Sequence, residues 1–137
     1  MLAAFLRSGK VVLLPFGDSQ RYDIVVDEGG IFTRVQVKTA CLKANHLVFE
    51  CRSSNWNTGL RKSYNGQADL FAVYSPDLDK IYLIPVSHVG ANNRANLRLT
   101  SLVHKGRYAD RPATQYEFDP NKTSCLHALW ANLPAGT

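Results

Sequence analysis

Asp23, Gln36 and Lys38 have side-chain types and a spacing that suit phosphodiester chemistry. Asp23 offers a hard anionic oxygen to a divalent cation, and the Gln36 amide oxygen is a weaker, neutral ligand. Such cations prefer oxygen ligands and keep several waters. Lys38 can orient a water and offset charge developing on a phosphate. A plainer role is also open, because polar residues alternating along a strand commonly form a solvated sheet face.

The elements that must position these residues lie between Arg21 and Ala40. Tyr22, Ile24 and Val26 alternate with Asp23 and Val25, the period of a strand. Glu28-Gly29-Gly30 is a hairpin-turn signal, since glycine reaches positive φ without steric cost. Ile31 to Thr39 resumes as a β-branched run in which Arg34, Gln36 and Lys38 share one face. Closing the hairpin brings Asp23 beside Gln36.

The pattern of Tyr22-Asp23, a hairpin and Val35-Gln-Val-Lys38 resembles the PD-(D/E)XK nuclease superfamily, with Gln at the position of the usual acid. Two blocks, PFGDSQRYDIVVDEGGIFTRVQVKTA and ADLFAVYSPDLDKIYLIPV, narrow this to the group I intron-associated homing endonucleases of that superfamily. The resemblance covers roughly residues 1 to 100. It implies a restriction-endonuclease-like core, Asp23, Gln36 and Lys38 as catalytic positions, and Asp23 and Gln36 as ligands for Mg²⁺ or Mn²⁺. It further implies a double-stranded DNA substrate and a homodimer or homotetramer. One departure is visible. The superfamily members usually carry a Glu on the first helix, whereas the glutamates here are Glu28, Glu50 and Glu117. A late start, a substitute group or impaired activity would each account for it.

Composition bounds the rest. A chain of 137 residues, 45% of them apolar, is expected to form one domain with a real core. Sixteen Lys and Arg against eleven Asp and Glu give +5, and the pI is about 9.3, a balance suited to a polyanion. Cys41, Cys51 and Cys125 lack Cys-x-x-Cys spacing, which argues against zinc and for reduced thiols in a cytosolic setting. With the resemblance, that suggests intracellular, nucleoid-associated activity of bacterial or phage-like origin. Met1 to Leu6 is too short to span a membrane, and Arg7 follows it rather than preceding it, unlike a signal peptide.

The fold class expected is α/β: a central mixed β-sheet of four or five strands flanked by a first helix over Leu2 to Leu6 and a last helix from Asp119-Pro120 through Leu133. Strands are expected at Val11 to Pro15, His46 to Arg52, Ala68 to Tyr74 and Lys80 to Val86, with a short one at Leu97 to Leu99. Ala68 to Tyr74 is apolar enough to be buried on both faces. Asp69 at its start is more suited to satisfying basic or backbone groups than to catalysis. Arg52 to Gln67 reads as a long polar loop without an acid. Its residues suit DNA: Arg52, Arg61 and Lys62 for phosphates, and Asn55, Trp56, Asn57 and Tyr64 for bases or sugars. Lys105 to Arg111 is a second basic segment.

These readings converge on a metal-dependent DNA endonuclease. A structure-specific nuclease of the Holliday-junction type is a rival within the superfamily. A DNA-binding module that kept the scaffold and lost catalysis is another, and a basic interaction protein without nucleic acid is a third.

Overall fold

The computed structural model describes residues 1–89, 91–100, 111–122 and 124–126. Its elements in chain order are α1 (Leu2–Arg7), β1 (Val11–Leu13), β2 (Ile24–Glu28), β3 (Ile31–Thr39), β4 (Cys41–Lys43), β5 (His46–Glu50), β6 (Arg52–Ser54), β7 (Arg61–Ser63), β8 (Leu70–Ser75), β9 (Lys80–Pro85), α2 (Val86–Val89), β10 (Arg94–Arg98), β11 (Arg111–Pro112), a 3₁₀ turn (Ala113–Tyr116) and β12 (Glu117–Phe118). A six-stranded sheet has the order β1-β2-β3-β8-β9-β12, and a four-stranded one has β11-β10-β5-β4. Among the described residues the β6–β7 hairpin pairs with itself alone.

The large sheet is mixed because β3 and β8 run parallel while its other neighbours are antiparallel. A parallel pair needs a long crossover, usually a helix. Here the crossover carries β4 and β5, half of the second sheet, and then the β6–β7 hairpin. The chain therefore builds half of its second layer between the two central strands and adds β10 and β11 to it after β9.

Strand alternation divides the core in two. Phe71, Val73, Tyr82 and Ile84 leave one face of the large sheet and meet Leu47, Phe49 and Leu97 of the smaller one. Val35, Leu70, Ala72 and Leu83 leave the other face and pack with Phe5 of α1, Phe118 and Leu126. Each such large apolar side chain contributes about 1.5–3 kcal/mol when fully buried. β8 is thus buried on both faces, as its sequence suggests.

On the α1 side, a buried ion pair ties three segments together. Lys10 Nζ lies 2.8 Å from Glu28 Oε1, with side chains only 6% and 14% exposed. Lys10 also donates to the Ser124 carbonyl, and the Leu126 N–H donates to both Glu28 oxygens at 3.0 and 3.1 Å.

Four expectations need correction. The sheet is larger than four or five strands, and one of its faces is covered by a second sheet rather than a helix. The α-helices bounded within the described residues are α1 and α2, of six and four residues, and Leu126 is also helical. The second sheet was hidden because β10 falls in a stretch of Asn and Arg that reads as loop. Its two apolar residues, Ala95 and Leu97, are nonetheless buried in alternation. Arg52 to Gln67 is not a plain loop, since β6 and β7 pair within it. Asp119 caps a turn, its Oδ1 accepting from Asn121 N at 2.9 Å, and starts no helix there. The expected helix beyond Leu126, and Lys105 and Arg107 of the second basic segment, lie outside the described residues.

Candidate active site

Gly29 and Gly30 take φ of 66° and 91° and reverse the chain between β2 and β3. The turn is pinned by Gly30 N donating to Asp27 Oδ1 at 2.7 Å. The resulting register pairs Ile24 with Val35, which places Asp23 opposite Gln36. One backbone bond extends the ladder to the site, from Asp23 N to the Val35 carbonyl at 2.9 Å.

The Asp23 carboxylate is exposed and held in place. Gln36 Nε2 and the Val37 N–H both donate to its Oδ2 at 2.7 Å. Both bonds fall on one oxygen, so Oδ1 keeps the capacity to ligate. Lys38 lies two residues beyond Gln36 on the same face. Its Nζ donates to the Tyr64 hydroxyl at 3.3 Å and lies 4.7 Å from the ring centroid. The structure thus brings Asp23 and Gln36 into contact and sets Lys38 next along the strand.

Tyr64 stands apart from the other residues expected to touch DNA. It is 5% exposed, packed edge-on against Phe71, and points into the core beneath Lys38. Arg52 is half-buried, donating from Nη2 to the exposed Ala91 carbonyl at 3.3 Å, and its buried Nε has no hydrogen-bond partner among the described residues. Asn55 is committed to its own turn, since its Oδ1 accepts from Asn57 N and Thr58 N at 2.9 and 3.3 Å. Trp56, Asn57, Arg61 and Lys62 are exposed. Trp56, at 98%, projects fully from the hairpin tip.

Arg21 was not singled out by sequence, yet it joins the site to the hairpin. Its Nε donates to Gln67 Oε1 at 2.7 Å, Nη1 to Ser53 Oγ at 2.5 Å, and Nη2 to the Ser63 and Lys62 carbonyls at 3.0 and 3.3 Å. Its guanidinium carbon also sits 4.3 Å above the Tyr64 ring. The available signal was its place two residues before Asp23.

Asp69 behaves as expected from a strand-start acid. Its carboxylate takes Arg34 Nη2 at 2.8 Å, Nε at 3.0 Å and the Arg34 N–H at 2.8 Å. Burial pushes its pKa up, but the hydrogen bonds and charge of Arg34 outweigh that and hold it below the usual carboxylate range. The hydrogen bond to Asp69 in turn raises Arg34. Cys51 is buried, and burial pushes its thiol up to about 12, so it is no nucleophile. A cavity of about 630 Å³ opens beside Asp69, lined also by Gly66, Val86, Ser87 and His88. Asp23 is outside that lining and is exposed.

The donor set at Asp23 fits a hard cation in type, with one carboxylate and one amide able to turn its oxygen inward. It is sparse in charge. Among the described residues no group of three or more His, Cys, Asp or Glu is placed to hold a metal. Each glutamate is in an ion pair, Glu28 with Lys10, Glu50 with Arg94 and Glu117 with Lys80. Among the described residues, too, no helix is long and apolar enough to cross a membrane.

Asp23, Gln36 and Lys38 thus stand together on adjacent strands of a mixed sheet. The chain belongs to the PD-(D/E)XK endonuclease family, whose model matches residues 1–119. It is also similar to the solved structure of a bacterial homing endonuclease, I-Ssp6803I. The two are 28% identical with a TM-score of 0.64, over 85% of this chain and 82% of that one. No curated protein matches. The resemblance read from the sequence is thereby borne out.

Proposed function

We propose that the chain is a metal-dependent endonuclease that hydrolyses phosphodiester bonds in double-stranded DNA, in the manner of a homing endonuclease. The observation that carries this reading is the 2.7 Å contact of Gln36 with Asp23, with Lys38 next on the same face. Asp23 and Gln36 would hold the ion, Mg²⁺ or Mn²⁺. When bound, it supplies Lewis-acid stabilisation of the phosphate and lowers the pKa of a coordinated water. The chain's own residues do the rest. The Val37 N–H and Gln36 hold the carboxylate in one orientation. Lys38 aligns the attacking water and offsets negative charge as it develops. Arg61 and Lys62 contact phosphates, while Asn57 and Trp56 reach bases or sugars. One such site breaks one strand, so a double-strand break needs at least a dimer. A tetramer would let two subunits read two half-sites.

The test is incubation with supercoiled plasmid and Mg²⁺, beside Lys38→Ala and an EDTA control. Nicked or linear product from the wild type alone supports the reading. A second reading, a DNA-binding module without catalysis, is favoured by the ion-paired glutamates. It would hold if the wild type cuts neither plasmid nor a branched junction yet binds duplex with affinity that falls steeply as salt rises. Cutting of the junction alone would point to the structure-specific rival.

A further inference from the structure

We infer that Tyr64 is a positioning residue for Lys38, holding its ammonium at the Asp23 face. The catalytic consequence rests on the nuclease reading, whereas the geometry does not.

A lysine ammonium ends a flexible stem with four rotatable carbon–carbon bonds. Left alone, it would sample many positions above an exposed strand. Two contacts restrict it here, both from Tyr64. The hydroxyl accepts from Nζ at 3.3 Å, and the ring lies 4.7 Å away. Tyr64 is itself immobilised from three directions. Its ring edge meets Phe71 at 5.6 Å and 87°. Its carbonyl accepts from Gln67 N and Ala68 N at 2.9 and 3.0 Å. Arg21, anchored through Nε, Nη1 and Nη2, lies against the ring. A rigid, buried phenol presenting its one acceptor to a mobile cation is how a supporting residue fixes a catalytic one. Arg21 extends the effect. It binds the same ring and the β6–β7 hairpin, and it stands two residues before Asp23, so hairpin and Lys38 are referenced to one rigid group.

If Tyr64 merely filled the core, a phenyl ring would serve as well. Tyr64→Phe keeps the Phe71 and Arg21 contacts and removes only the acceptor. Three results are expected. The kcat on duplex DNA falls about tenfold while KM stays within about twofold, as a misplaced catalytic group predicts. The ¹³Cε resonance of Lys38 moves. The thermal midpoint stays close to wild type. In the unmodified protein, the ring should shift the Lys38 ε-protons upfield. An unchanged kcat in an active enzyme overturns the inference. So does an unmoved Lys38 resonance, or an absent ring-current shift in the wild type. If the wild type cleaves nothing, the nuclease reading fails, and the Lys38 resonances alone decide whether Tyr64 holds the ammonium.

Discussion

The β2–β3 hairpin turns through two glycines, buries one face under α1, and continues the ladder of a six-stranded sheet. The β6–β7 hairpin pairs three residues on each side and turns through Asn55 to Leu60 with most of its side chains exposed. The first is fixed by its surroundings, because a one-residue slip would turn Ile24, Val26 and Val35 out of the core. The second has no such face to bury. A two-stranded ribbon is marginal on its own in water, and it is ordered chiefly by Arg21 at its root and by the Asn55 side chain at its tip. The proposed catalytic groups thus stand on the rigid hairpin and the proposed DNA contacts on the adaptable one.

The largest expected effect tests the rigid hairpin. Asp23→Asn keeps a shape that can accept from Val37 N but removes the one anionic ligand. Cleavage should fall by about a thousandfold or more, equivalent to about 4 kcal/mol in the barrier. Stability should move by less than about 0.5 kcal/mol, because the group is exposed. Single-turnover kinetics and a denaturant melt check both. A variant that cuts normally would remove Asp23 from the mechanism.

Arg21→Ala tests the adaptable hairpin. It removes charge-assisted hydrogen bonds to Ser53, Gln67 and the strand carbonyls, which we expect to cost about 2–3 kcal/mol in all. Hydrogen exchange should accelerate across Arg52 to Ser63 before it does in β2 and β3. Equal protection in both hairpins would dissolve the contrast between them.

Gln36→Glu sharpens the ligand assignment. An anion in place of a neutral amide should tighten binding of Mg²⁺ or Mn²⁺ by about tenfold, roughly 1.4 kcal/mol. Calorimetric titration without DNA measures it. Weaker binding would mean that Gln36 only orients Asp23.

The same contrast explains what could be read before the fold was known. Asp23, Gln36 and Lys38 were legible because strand period and a Gly-Gly turn determine which side chains meet. β8 was legible because an apolar run has few alternatives in a sheet. β6 and β7 were not, since Arg, Ser and Lys carry no strand signal and their pairing depends on Arg21, distant in sequence. The inward turn of Tyr64 was equally hidden. Burial of a polar side chain follows from partners such as Lys38 and Arg21, which only the tertiary arrangement supplies.

Arg61 and Lys62 offer a smaller test. They are adjacent on β7, so they point to opposite faces of the ribbon. Lys62 pairs with Ser53, whose hydroxyl meets Arg21, so Lys62 shares the face toward the site. Lys62→Gln should therefore reduce the salt slope of duplex binding by close to one unit, and Arg61→Gln by less. Equal slopes would show that the duplex contacts both faces.

The smallest effect concerns the tie between the hairpins. Arg34 of β3 binds Asp69 and also donates from Nη1 to the Gly66 carbonyl at 3.1 Å, just past β7. Because Arg34 depresses the Asp69 pKa, the native state favours the carboxylate more than the unfolded chain does. The linked stability is present in full above the unfolded value near 3.9 and is lost as pH falls through the lower folded value. With the Asp69 side chain 35% exposed, solvent screening holds the contribution to about 1 kcal/mol or less. Asp69→Asn should be less stable than wild type by that margin at pH 7, and the gap should close on acidification below about pH 4. Paired urea melts at the two pH values measure it. No gap at pH 7 would assign the tie to hydrogen bonds that asparagine can also accept, such as that from the Arg34 N–H, and the charge of Asp69 would then add nothing to the coupling between the hairpins.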